Sequence, residues 1–195
     1  MIHARRAFLR MGAAALLTTG MGKIVTAAVL PAGITPNAGA PNAGQEVRRL
    51  KFQNLHTGEK LDAEYCIAGC YQPDVLQAVN HTLRDWRNNE VHDIDPRLLD
   101  LLHDLNTRLE NDDVIQVISG YRSPQSNAMM HERSSGVAAK SLHMQGIAID
   151  IRLPNRQLTA VHDTALALGK GGVGFYPESN FVHVDVGKVR TWAGA

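Results

Sequence analysis

The chain has 195 residues, 44% of them hydrophobic and 20% charged, with a formal net charge of +1. This is globular composition, sufficient for one well-packed domain, and it excludes disorder beyond about the first fifty residues. The near-neutral balance, without a basic stripe, offers no electrostatic footprint for nucleic acid.

In chain order, the first feature is "MIHARRAFLRMGAAALLTTGMG". The Arg5–Arg6 pair, followed by Phe8 and Leu9 and then an Ala- and Gly-rich apolar run, has the layout of an export signal and resembles the twin-arginine type. Lys23 interrupts the run short of the ~20 apolar residues that a membrane span needs. The expectation is therefore a twin-arginine signal over residues 1–30, engagement of the twin-arginine export machinery, and a periplasmic mature protein without a stable span. No cleavage site is assigned, because Pro41 follows the small-residue run 38–40. Residues 31–49, rich in Pro, Ala, Gly and Asn, read as a flexible linker, so the folded domain is expected over residues 50–195.

Two strands are predicted within "LKFQNLHTGEKLDAEYCI", around a turn at Gly58. Cys66 and Cys70 follow closely, either as a small disulfide or as two free thiols; without a second pair they do not read as a zinc knuckle. Leu76, Val79, Leu83 and Trp86 recur at helical spacing. A second helix starts with Asp95 as N-cap and Pro96 at the first position, and buries Leu98, Leu102, Leu105 and Leu109. A strand over 114–119 breaks at Gly120, and a helix is predicted around 124–133. A strand over 147–153, a helix around 156–168, a glycine-rich bend "GKGGVGFYP" and a last strand "FVHVDV" complete the chain. The fold class is α+β, with a small, mainly antiparallel sheet backed by helices.

Strand alternation supplies the functional clue. In "IAIDIRL" the branched residues share one face and Asp150 takes the other; in "FVHVDV" the valines share one face, while His183 and Asp185 share the opposite one. With both apolar faces in the core, Asp150 and His183 meet on the remaining face. His143 lies on the turn before the first of these strands, where Gly146 lets the chain fold back. Two histidines and a carboxylate form a recurrent catalytic zinc set that leaves a fourth position open. The competing reading is a half-exposed sheet with scattered polar residues. No nucleophile elbow, phosphate loop or H-E-x-x-H motif is present. His81 and His103 read as ordinary solvated helix residues; His56, His92, His131 and His162 read as turn or helix residues, any one of which could line the groove; and Lys140 reads as a solvated loop lysine that could instead meet a substrate carboxylate. Tyr176 and Trp192 either line a cleft or finish the core.

The segments "SGYRSPQSN", "SLHMQGIAID", "GGVGFYP" and "NFVHVDVGKVRTW" together resemble the murein endopeptidase K family. That family belongs to the zinc peptidases related to D-Ala-D-Ala carboxypeptidases, with a hedgehog-like fold. The resemblance runs from about Leu50 to Trp192 and includes a complete S-x-H-x-x-G-x-A-x-D. It implies zinc as cofactor, His143, Asp150 and His183 as its ligands, and Arg122 at the site, holding a scissile carbonyl oxygen or a substrate carboxylate. It also implies hydrolysis of the peptide cross-links of peptidoglycan, the cell-wall murein. A carboxypeptidase trimming stem peptides and a non-catalytic, zinc-containing wall-binding domain are the alternatives. Several relatives carry a proton acceptor shortly before the last zinc histidine; here Asn180 and Phe181 stand there. Asp185 is therefore the candidate general base, with holding a ligand in place as its other role, and Glu178 is in reserve.

Overall fold

The computed structural model describes residues 46–133 and 136–194; the expected signal and the linker up to residue 45 lie outside them. The first strand, β1, spans Val47–Asn54, so it starts within the last residues read as linker. It is followed by β2 (Lys60–Ile67), β3 (Cys70–Tyr71), α1 (Pro73–Thr82), α2 (Pro96–Arg108), β4 (Ile115–Ser119) and α3 (Pro124–Arg133). A 3-10 turn at Leu142–Gln145 leads into β5 (Ala148–Arg152), then α4 (Leu158–Leu168), β6 (Gly172–Tyr176), β7 (Phe181–Asp185) and β8 (Arg190–Ala193). The class is α+β as expected. The sheet has eight strands, in the order β3-β2-β1-β4-β5-β7-β6-β8. Pairing is antiparallel except for β1 with β4 and β6 with β8.

The core lies on the face where alternation put the branched residues. Ile149 and Ile151 of β5, and Val182 and Val184 of β7, are fully buried with Leu98, Leu99, Leu102 and Leu105 of α2. A one-residue slip of β5 or β7 would expose its branched pair, at roughly 1.5–3 kcal/mol per side chain, so the register is strongly specified. α2 packs against α4 and β1, and α4 against β6 and β7. No helix among the described residues is long and apolar enough to cross a membrane.

Two expectations differ from the structure. The α1 stripe ends at Thr82: Leu83 caps the helix, and Trp86 leaves its axis to stack on His56 at 4.1 Å. The glycine-rich segment is strand β6, not a bend. Its missing side chains are replaced by those of β8, and a Cβ on Gly174 would stand 2.6 Å from the Trp192 ring. Of the two states left open for the cysteine pair, the structure has the free thiols, with Cys66 buried and Cys70 exposed. Cys66 pairs with Tyr71, so Cys70, one residue earlier on β3, projects from the opposite face.

Candidate metal centre

One row of residues crosses the sheet and carries the site. Ser119 of β4 lies opposite Asp150 of β5, Asp150 opposite His183 of β7, His183 opposite Gly174 of β6, and Gly174 opposite Trp192 of β8. Ser119 joins this row because β4 is irregular between Val117 and Ser119, which shifts the register by one residue. His143 enters from the 3-10 turn, where its own backbone N–H donates to the Ser141 hydroxyl and the last residue is followed by Gly146 in the left-handed region, φ +65°. A Cβ there would overlap the Asp93 carbonyl oxygen, so glycine serves both conformation and space.

The row brings together His143, Asp150 and His183, all buried. His143 Nε2 lies 3.2 Å from His183 Nδ1, and Asp150 Oδ1 lies 2.8 Å from His183 Nδ1 and 3.3 Å from His143 Nε2. The outer nitrogens decide what the inner ones offer. His143 Nδ1 lies 2.7 Å from the Gly120 carbonyl oxygen, an acceptor only, so it carries the proton and Nε2 is left with a lone pair. His183 Nε2 faces Asp185 Oδ2 at 3.0 Å and donates to it, which leaves the Nδ1 lone pair of the neutral ring facing inward. Two imidazole lone pairs and a carboxylate oxygen thus converge, with no proton among them unless His183 becomes charged. A tetrahedral zinc at about 2.0–2.1 Å from each donor would set them roughly 3.3 Å apart, so donor type and spacing both fit.

The electrostatics make the same demand for positive charge. Burial opposes ionisation of Asp150, but His143 and His183 outweigh it and hold the carboxyl well below the ordinary range. Burial likewise opposes charge on His183, yet the Asp150 and Asp185 carboxylates on either side raise it to about 9. A divalent cation meets this demand while leaving the imidazole neutral.

Arg122 stands beside the triad and is 7% exposed. Its Nη2 lies 3.9 Å from Asp150 Oδ2, and its bonds to Ser119 Oγ and Asn127 Oδ1 are both long, at 3.3 Å. Its Nε is buried without a hydrogen-bond partner among the described residues. Burial lowers its pKa, so the guanidinium is held under strain of desolvation beside a cleft it can reach.

Of the two roles the sequence left open for Asp185, the geometry favours holding a ligand. Asp185 is fully buried, on the side of the His183 ring away from Asp150. It accepts from the backbone N–H groups of Gly172 (3.0 Å) and Gly187 (2.9 Å) and from Arg190 at 3.1 and 2.8 Å. Burial opposes its charge, but His183, Arg190 and the two N–H groups hold its pKa far below the ordinary value. A carboxylate so depressed, and facing no open space, is a poor proton acceptor. Glu178 is exposed and does not line the cleft, in which Asp150 is the sole carboxylate among the described residues.

The cleft over the triad measures about 560 Å³. Beyond β7 its wall is aromatic: Trp192 lies 5.1 Å from the His183 ring and donates to Tyr176 Oη at 2.8 Å, and Tyr176 stacks on Phe181 at 4.4 Å. Beyond β4 it is lined by His56, Arg87 and Arg122. Sequence reasoning gave no ground to single out His56 from the other histidines that could line the groove, and it missed Arg87. Their only signal is aromatic and cationic residues on two turns, which periodicity does not bring together.

A family model described as peptidoglycan L,D-endopeptidase MepK matches residues 42–192. The chain is 45% identical over 148 residues to the probable peptidoglycan L,D-endopeptidase MepK of Haemophilus influenzae, covering 75% of this chain and 80% of that one. It is 41% identical over 177 residues to the peptidoglycan L,D-endopeptidase MepK of Escherichia coli K12, covering 91% and 94%. A Shigella flexneri protein of the same description matches to the same extent.

Proposed function

Because the chain belongs to the peptidoglycan L,D-endopeptidase MepK family, we propose that it is a zinc metallopeptidase that hydrolyses peptide cross-links of peptidoglycan. His143 Nε2, Asp150 Oδ1 and His183 Nδ1 would hold the metal. The observation that carries the reading is the convergence of two imidazole nitrogens and a carboxylate oxygen, a set that a divalent cation would complete in place of the proton held between His183 and Asp150. When bound, zinc supplies a Lewis acid that polarises a carbonyl and makes water nucleophilic near neutral pH.

The residues of the chain do the rest. Gly120 and Asp185 fix the tautomers and ring planes of the two histidines, from outside the donor set. Arg122 is proposed to hold the scissile carbonyl oxygen as it gains negative charge, which the unpartnered Nε and long existing bonds favour. The aromatic wall excludes water from one side and offers flat surface to the peptide. The cleft has lining on both sides of the triad, Arg87 and Arg122 on one and Tyr176 and Trp192 on the other, which supports cleavage within a chain. Export by the twin-arginine route to the periplasm, where peptidoglycan lies, is part of the same proposal and rests on Arg5, Arg6, Phe8 and Leu9.

Digestion of isolated murein and cross-linked muropeptide dimers, followed by mass spectrometry, tests the reading. Dimers should fall to monomers with metal-loaded protein, and His183→Ala or chelation should slow this by more than about 100-fold. Loss of only a terminal residue would indicate a carboxypeptidase. Retention on murein with no product at all would indicate a wall-binding domain.

A further inference from the structure

The cleft is charged unevenly. Its lining carries Arg87, Arg122, Lys140 and Arg190 against the single carboxylate of Asp150, which the histidines already engage. Arg190 is matched by Asp185. Arg87 is matched far less well: its Nη1 reaches Asp85 Oδ1 only at 3.4 Å, and its Nε and Nη2 have no hydrogen-bond partner among the described residues.

Arg87 is nonetheless fixed. Its guanidinium carbon lies 4.5 Å over the Trp86 ring, which also stacks on His56. Its backbone N–H donates to Asp85 Oδ1 at 3.1 Å. The other oxygen of that fully buried carboxylate accepts from Ser123 N and Ser123 Oγ, both at 2.9 Å. Asp85 therefore ties the turn carrying Arg87 to the residue after Arg122. Two guanidinium groups are held as neighbours on one cleft wall despite their mutual repulsion, and Arg87 adds to the lowering of the Arg122 pKa. Such placement is unfavourable for folding alone and is relieved by a ligand that brings negative charge to this wall.

We propose that Arg87 is a specificity-determining residue that binds a free carboxylate on the peptide residue lying to the β4 side of the scissile bond. The planar fork of a stacked, tethered guanidinium matches a carboxylate and loses little freedom on binding it. Arg122 serves the reacting carbonyl, and Arg87 reads the adjoining carboxylate. The proposal rests on the peptidase reading above.

The test uses the metal-loaded protein and two cross-linked peptides that differ only in whether this carboxylate is free or amidated. The wild type should favour the free acid by on the order of 10- to 100-fold in kcat/KM, mainly through KM. Arg87→Gln should bring the ratio near unity, and Arg87→Lys should restore part of it. Calorimetric binding of a non-hydrolysable pair of the same peptides should give the same preference without turnover. Equal use of both peptides by the wild type overturns the proposal and leaves the peptidase reading standing. An equal fall for both in Arg87→Gln also overturns it, assigning Arg87 to structure. If neither peptide is cleaved, the peptidase reading fails, and the binding preference alone decides whether the carboxylate subsite exists.

Discussion

Asp185→Asn separates holding a ligand from carrying a proton. The substitution keeps size and leaves one oxygen, which can retain the N–H groups of Gly172 and Gly187 at the present Oδ1 position. The new amide NH2 then occupies the Oδ2 position, against His183 Nε2 and Arg190 Nη2, donors now 3.0 and 2.8 Å away. His183 escapes the donor-to-donor contact by moving its proton to Nδ1, which removes one of the three lone pairs of the metal set. Zinc affinity should fall by about 10- to 100-fold, as for loss of other outer partners of metal ligands, or roughly 1.4–2.8 kcal/mol. Competition with a chromophoric chelator measures this directly, with thermal melting of the metal-free protein as the control for folding. An unchanged zinc Kd with lost turnover would refute the reasoning and return Asp185 to the role of proton carrier.

Other outcomes follow from packing and charge. Gly174→Ala places a methyl group 2.6 Å from the Trp192 ring and should lower stability by about 1–3 kcal/mol in urea unfolding; an unchanged midpoint would show that β8 yields freely. Burial opposes ionisation of Asp100, but bonds from Tyr71, Arg48 and Tyr65 outweigh it and depress its pKa in the folded state. That stability is present above the unfolded value of about 3.9 and is lost as pH falls through the lower folded value. The wild type should therefore exceed Asp100→Asn in melting temperature at pH 7, with the gap closing in acid; a constant gap would contradict this. Alkylation should label Cys70 alone in the folded protein and Cys66 as well after unfolding, and rapid labelling of both would deny the burial of Cys66.

The centre of the sheet was legible because β5 and β7 alternate cleanly, and a two-residue period fixes which side chains share a face. That period alone assigns Asp150 and His183 to a common face. The flank was not legible. β6 lacks side chains at Gly172 and Gly174, and β8 offers only the short, largely exposed run RTWA, so neither shows the apolar pattern of a strand. Ser119 joins the row through an irregularity of β4, and nothing in IQVIS announces an irregularity. His56 and Arg87 meet through a stack on Trp86, a contact between turns about thirty residues apart that no local period encodes. Asp185 was legible as a neighbour of the site; its side of the His183 ring follows only from knowing what lies behind β7.

The row across the sheet has a consequence for how the protein matures. Its members come from β4, β5, β7, β6 and β8, and His143 and His183 are 40 residues apart in the chain. Non-local pairings of this kind form late, because loop closure must precede them. The three donors therefore do not converge until the strands have docked, and a partly assembled chain lacks this three-donor set. With a metal held there as proposed, its uptake would report completed folding, and bound metal would draw the population toward the finished sheet by mass action.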